Sequence, residues 1–188
     1  VGWRQAALKG DEESLKRDLR TYLEGQLPKT LEIKVGEIDN LADYEKPLIV
    51  HYDVKGTPGT AVGKRLVMPA DMFEAGATAT FPHEKRELSV YFHYASFTLD
   101  AMRVRFSKAF EVEAVPDTAK LSYAGQEAYA LEVSKDDSSY TMHRNHIQNE
   151  VLVSAKDYEA LRKYYAQFES KDQESVVLKG KPAEQAAN

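Results

Sequence analysis

The sequence predicts a mainly β protein: an antiparallel β-sandwich of about eight strands with a helix at each end. Three observations carry this. Between Thr30 and Val153 apolar residues alternate with polar ones at a period of two. Turn-forming residues interrupt that pattern repeatedly. At both ends the apolar period lengthens to three and four, as on one face of a helix.

The first helix is placed over Asp11 to Gly25. Asp11 stands where an N-cap belongs, and Glu12 and Glu13 occupy the first turn, where the helix dipole favours negative charge. Leu15, Leu19, Tyr22 and Leu23 form its apolar face, and Gly25 and Pro28 end it. The first ten residues carry little signal, although Trp3 is a candidate to pack under this helix. Alternation then marks Leu31–Val35, Leu48–Val54, Leu88–Tyr94, Met102–Phe106 and Tyr129–Val133 as half-buried strands. The breakers are Gly56 to Gly59, Pro69, Gly76, Pro82, Pro116 with Asp117, Ala124 with Gly125, and Asp136 to Ser139. The least regular stretch, Met68 to Pro82, reads as a loop crossing between sheets or a flap. No βαβ alternation appears, so a parallel α/β sheet is not expected.

The closing segment reads as a helix over 155–170 and a strand over 175–178. Tyr158, Leu161, Tyr165 and Phe168 share one helix face, with Ser154 as expected N-cap and Asp157 completing a capping-box-like pair. The domain plan is therefore a helical extension over 1–28, a β-sandwich domain over 29–178 and a disordered tail over 179–188. Val1 is not a natural start, so the chain is expected to be a fragment.

Length and composition narrow the chemistry. A chain of 188 residues buries roughly 70% of its unfolded surface. Its net charge of −5 argues against nucleic acid as a partner. No apolar run approaches the ~20 residues that a membrane helix needs. Cysteine is absent, which removes disulfides, thiolate metal ligands and a cysteine nucleophile together. No cofactor is predicted. His143 and His146 are the one pair that suggests a metal site, but positions three apart on a strand face opposite ways, and Glu150 does not repair the geometry. They read instead as residues of a polar, edge-type strand, and His51 and His93 as mid-strand residues on a solvated face. The 30 acidic residues make carboxylate pairs inevitable, and nothing singles out the pair a glycosidase needs.

The binding candidates are few. Lys64 with Arg65, and Lys85 with Arg86, are two basic pairs in an acidic protein, suited to docking an acidic ligand or to fixing a strand end by an ion pair. Tyr91, Tyr94, Tyr123, Tyr129 and Tyr140 are read as strand residues. Tyrosines that share an exposed face grip sugars or peptides, and Tyr91 and Tyr129 are the ones to test for this. The alternative is ordinary sheet packing.

Several segments together resemble a known family. Thr60 to Leu66 with Pro69 and Phe73, then Lys85, Arg86 and Glu87, then Met102 to Pro116, occur in its order and spacing. So do Asp157, Tyr158, Leu161, Arg162, Tyr164 and Tyr165, followed by Asp172, Gln173 and the Val176–Leu178 strand. This pattern, over most of residues 8–178, resembles the C-terminal β-rich domain of unknown function in large bacterial transglutaminase-like proteins with a papain-like core. It departs at Ser107 to Ala109, where a proline-glycine turn is expected. The family's catalytic Cys, His and Asp lie in the upstream core and have no counterparts here. The resemblance implies a non-catalytic accessory domain of a secreted or periplasmic (extracytoplasmic) protein. It would dock on the upstream transglutaminase-like domain of the parent chain, or on a protein, peptide or glycan ligand. The rival expectation is an independent carbohydrate-binding β-sandwich module.

Overall fold

The computed structural model describes residues 2–181 and divides the chain into two compact units, residues 1–58 and 59–188. The boundary lies thirty residues beyond the helical extension expected from sequence. The reason is that the first hairpin groups with the N-terminal helices.

Unit 1 contains α1 (Gly2–Ala7), α2 (Glu12–Gln26), β1 (Leu31–Asp39) and β2 (Ile49–Gly56). Helix α2 forms as its sequence directs: the Asp11 carboxylate accepts the Ser14 N–H at 2.8 Å, and Glu12–Lys16 and Arg20–Glu24 pair at i,i+4. Its buried face, Leu15 and Leu19, forms the core of the unit with Leu27 and Ile33. Trp3 meets Tyr22 edge-on, with ring centroids 5.4 Å apart. Helix α1 was not foreseen, because long-range contacts hold it: the Arg4 guanidinium donates to the carbonyls of Asn40, Asp43 and Lys46.

Unit 2 is the sandwich. Its strands are β3 (Thr60–Val62), β4 (Arg65–Pro69), β5 (Val90–Tyr91), β6 (Ser96–Arg105), β7 (Phe110–Ala114), β8 (Ala119–Tyr123), β9 (Glu127–Lys135), β10 (Ser139–Gln148), β11 (Leu152–Val153) and β12 (Ser175–Gly180). Helix α3 spans Tyr158–Asp172. One antiparallel sheet has the order β6-β10-β9-β8 and the other β3-β4-β12-β7, while β5 and β11 form a separate ribbon. Ten strands exceed the expected eight or so, and three of them, β3, β5 and β11, have only two or three residues. Met68, Tyr140, Val176 and Leu178 fill the space between the two four-stranded sheets. Further along the first sheet, α3 replaces the second sheet as its cover. Tyr158, Leu161, Tyr164, Tyr165 and Phe168 pack there on Tyr129, Leu131 and Met142. Burying each of these large side chains contributes roughly 1.5–3 kcal/mol.

Turn chemistry follows the breakers. Ala124 and Gly125 both take positive φ, and the Gln126 N–H closes that turn on the Tyr123 carbonyl. Asp136 makes an Asx turn, its carboxylate accepting the N–H groups of Ser138 and Ser139 at 2.8 and 2.7 Å. Gly59 permits a close backbone approach, since a Cβ there would lie 2.3 Å from the Val67 carbonyl oxygen.

Four expectations need correction. The Leu88–Tyr94 strand shrinks to Val90–Tyr91, because His93 adopts φ 58 and turns the chain; His93 is therefore not mid-strand. Ser154 does not cap α3: Asp157 is its N-cap, and the Ser154 hydroxyl donates instead to the Asp157 carboxylate at 2.7 Å. The final strand continues through Lys179, opposite Arg65 of β4 and Glu111 of β7, and Gly180, opposite Phe110 of β7, so the expected tail does not begin at 179. The rest of that tail, residues 182–188, lies outside the described residues. Finally, β10 is no edge strand but lies between β6 and β9.

Candidate functional site

The interior of unit 2 contains a charged centre built around β10. Its even-numbered residues Tyr140, Met142, Arg144, His146 and Gln148 share the inward face of a pleated strand. Tyr140 and Met142 continue the apolar core, but Arg144 places a guanidinium there with 3% exposure. Its Nε and Nη2 donate to the two carboxylate oxygens of Asp172, both at 2.8 Å. Nη1 donates to Asp100, the directly opposite residue of β6, at 3.0 Å. Glu74 lies 3.4 Å and Asp71 4.0 Å from the same group. The Tyr129 hydroxyl donates to Asp172 at 2.7 Å, and its ring stands 5.7 Å from the guanidinium carbon.

The arrangement solves an electrostatic problem. Asp172 is the last residue of α3, at the helix end where the dipole disfavours a carboxylate. The Arg144 fork compensates by two parallel charge-assisted bonds. Burial works against the arginine's charge, but the bonds and charge of Asp172, with Glu74 and Asp100, raise its pKa above the usual value. Burial also pushes Asp71 up to about 6; the Phe73 N–H opposes this and the Asp100 charge adds to it. Glu74 rises from burial against the pull of Arg144. His146 is driven down to about 4 by burial and by the neighbouring arginine charge, so it is neutral at pH 7.

A cleft of about 490 Å³ opens beside this centre. Its walls include Glu74, Thr78, Thr80, Thr98, His146, Tyr165, Phe168, Glu169 and Gln173. The segment expected to be a crossing loop or flap forms one wall. It is tied to α3 and the residue after it: the Thr80 N–H donates to Glu169 at 2.9 Å, and the Gln173 amide donates to the Glu74 carbonyl at 2.8 Å. Another buried acid stands apart from Asp71 and Asp172. Glu127 is 1% exposed, and neither carboxylate oxygen has a hydrogen-bond partner. Burial first, then the Glu150 charge, raises it to about 7.

Of the residues singled out from sequence, Tyr129 and His146 lie at this centre and the others fall elsewhere. Lys64 is exposed in the β3–β4 turn, and its carbonyl accepts the Gly180 N–H at 2.8 Å. Arg65 reaches across β12, its Nε and Nη2 donating to the two carboxylate oxygens of Glu113 on β7 at 2.5 and 2.6 Å. Lys85 is exposed, while the Arg86 guanidinium stands over the rings of Phe81 and Tyr158 at 5.9 and 5.6 Å. Tyr91 is exposed on β5, beside His93. Tyr129 is buried and cannot present a ring to an outside ligand; Tyr140 is buried as well, and Tyr94 lies outside any strand. The tyrosines therefore do not share one exposed face. His143 and His146 do face opposite ways, the first exposed and the second against Phe168. Among the described residues no cluster of three or more His, Cys, Asp or Glu is arranged to hold a metal ion. Four carboxylates instead converge on Arg144.

Sequence reading missed Arg144 and the carboxylates around it. The available signal was a cation at an inward position of an alternating strand, which requires buried counter-charges. A family model for DUF3858, described as a domain of unknown function with a solved structure, matches residues 64–178. That is more than half of the chain, and the chain belongs to this family. The match includes every residue of the Arg144 centre and Glu127. Searches of curated proteins and of solved structures give no match.

Proposed function

We propose that this domain is a non-catalytic accessory module of a secreted or periplasmic transglutaminase-like protein, docking on the catalytic core or on its protein substrate. The observation that carries the reading is where its exposed apolar side chains lie. Leu88, Tyr91, Tyr94, Phe97, Leu99, Val151 and Leu152 are all exposed. They come from two stretches that the β5–β11 ribbon joins. Tyr91 and Leu152 are direct cross-strand partners on the outward face, while Val90 and Val153 beneath them are buried. Single exposed hydrophobics are ordinary, but outward apolar neighbours such as Tyr91 with Leu152 are a surface for a partner to cover. The domain origin rests on the family resemblance of segments 60–73, 85–87, 102–116 and 157–178. The charged groups fit a supporting role: Arg144 and Asp172 are consumed by each other, and no thiol is present to act as a nucleophile.

The test is calorimetric titration of this chain with the separately expressed upstream catalytic region. Association at micromolar or tighter affinity is expected. A Tyr91→Ser/Leu152→Asp variant with an unchanged circular dichroism spectrum should bind roughly tenfold more weakly or worse. No heat of association at high concentration refutes the docking reading.

A further inference from the structure

The two four-stranded sheets of unit 2 have four edge strands, and three are protected in recognisable ways. Strand β3 has only three residues. Strand β7 has five and breaks register against β12 between Val177 and Leu178. Strand β8 has five, and α3 lies against it, with the Tyr123 hydroxyl donating to the Asp157 carbonyl. Short length, bulges and covering helices are the usual means of keeping an edge from pairing.

Strand β6 has none of these. It runs ten residues, paired without a register shift to β10 on one side and to no strand on the other among the described residues. It contains no proline and no lysine. Its one inward charge, Asp100, is taken by Arg144. Its core-facing Met102 and Val104 are only partly buried, although their cross-strand partners Met142 and Tyr140 are completely so. Among the described residues, the rim of β6 away from β10 is thus covered by no strand.

We propose that β6 is a strand-acceptor edge that pairs with an extended segment of a neighbouring domain. The outward face of β6 fixes the chemistry of that segment. It reads Phe97, Leu99, Ala101, Arg103, Arg105: apolar at one end, cationic at the other, with Arg103 also donating to the Ser139 hydroxyl and lying 3.5 Å from Asp136. An antiparallel partner therefore carries carboxylates near its start and apolar residues near its end, at alternate positions. A second copy of this chain does not meet that requirement. Any self-pairing that preserves the faces sets this row against itself, and the row has no carboxylate. The strand is assigned to the upstream domain of the parent protein, which rests on the accessory-domain reading above.

The probe is a blocked peptide, Glu-Val-Glu-Val-Val-Thr-Leu-Thr-Val, titrated into the isotopically labelled chain, with its Lys-for-Glu analogue as control. Binding is expected to shift and protect the β6 amides, with the lysine analogue at least roughly tenfold weaker. The Arg103→Glu/Arg105→Glu variant should reverse that preference. Equal affinity for both peptides, no binding up to about 1 mM, or a concentration-dependent dimer that the peptide does not disturb overturns the proposal. The upstream catalytic region is then tested against wild type and the double variant. Binding that the variant leaves intact removes β6 from the interface. Peptide binding at β6 without binding of the upstream region overturns both the source named here and the accessory-domain reading.

Discussion

Glu127 gives this fold a built-in dependence on pH. Its carboxyl group is buried with neither oxygen hydrogen-bonded, and its pKa rises from 4.5 in the unfolded chain to about 7. The sign follows from proton linkage. Below pH 4.5 the group is protonated in both states and contributes no difference. Between 4.5 and about 7 the unfolded chain releases the proton while the folded chain keeps it, so stability falls as pH rises. Above about 7 both states are ionised and the loss is complete. A displacement of about two and a half units corresponds to roughly 3 kcal/mol. The perturbation is Glu127→Gln, which abolishes the titration at nearly constant volume. Whatever the amide costs in that site does not change with pH, so the comparison to make is the difference between variant and wild type. Urea unfolding followed by circular dichroism at several values from pH 4.5 to 8 measures it. The variant should gain about 3 kcal/mol on wild type across that range, most of it before pH 7. A difference that stays flat, or slopes the other way, refutes the assignment of a buried, unpartnered carboxyl.

Three other outcomes follow from the same structure. Arg144→Met leaves Asp172 buried, and Asp100 half-buried, without their cation and should cost about 3–5 kcal/mol in denaturant unfolding, with a substantial part recovered when Asp172→Asn is added. Asp136, held down to about 2 chiefly by the Ser139 hydroxyl and the Ser138 N–H, contributes stability that is present above pH 3.8 and lost as pH falls towards 2; the advantage of wild type over Asp136→Asn should shrink in that window. Gly59→Ala forces a Cβ against the Val67 carbonyl oxygen and should lower the thermal midpoint, whereas Gly63→Ala, with open space around it, should act only through its positive φ.

Much of the fold was readable because its signals are local. Asp11 with Glu12 and Glu13 marks the start of α2, and the spacing of Tyr158, Leu161, Tyr165 and Phe168 marks the buried face of α3. The alternation of Tyr129, Leu131 and Val133 identifies an inward face, and the β9–β10 turn is written in Asp136 and the serines after it. The failures are equally specific. Leu88–Tyr94 alternates correctly, with Val90 inward and Tyr91 outward, yet one left-handed residue, His93, ends the strand. Tyr129 looks like any strand tyrosine until α3 closes over it.

The sequence by itself determined the apolar face of the strands whose alternation it shows, the positions of α2 and α3, and that this chain carries no thiol. Those properties depend on residues within a few positions of each other, where period and side-chain type suffice. Only the tertiary structure decided that β10 is central and that β6, among the described residues, ends its sheet, because strand order is a matter of long-range pairing. It also decided that Arg144 meets Asp100 and Asp172, residues 44 and 28 positions away. A buried charge acquires its meaning from the counter-charges around it, and those are brought together by the packing of α3 on the sheet.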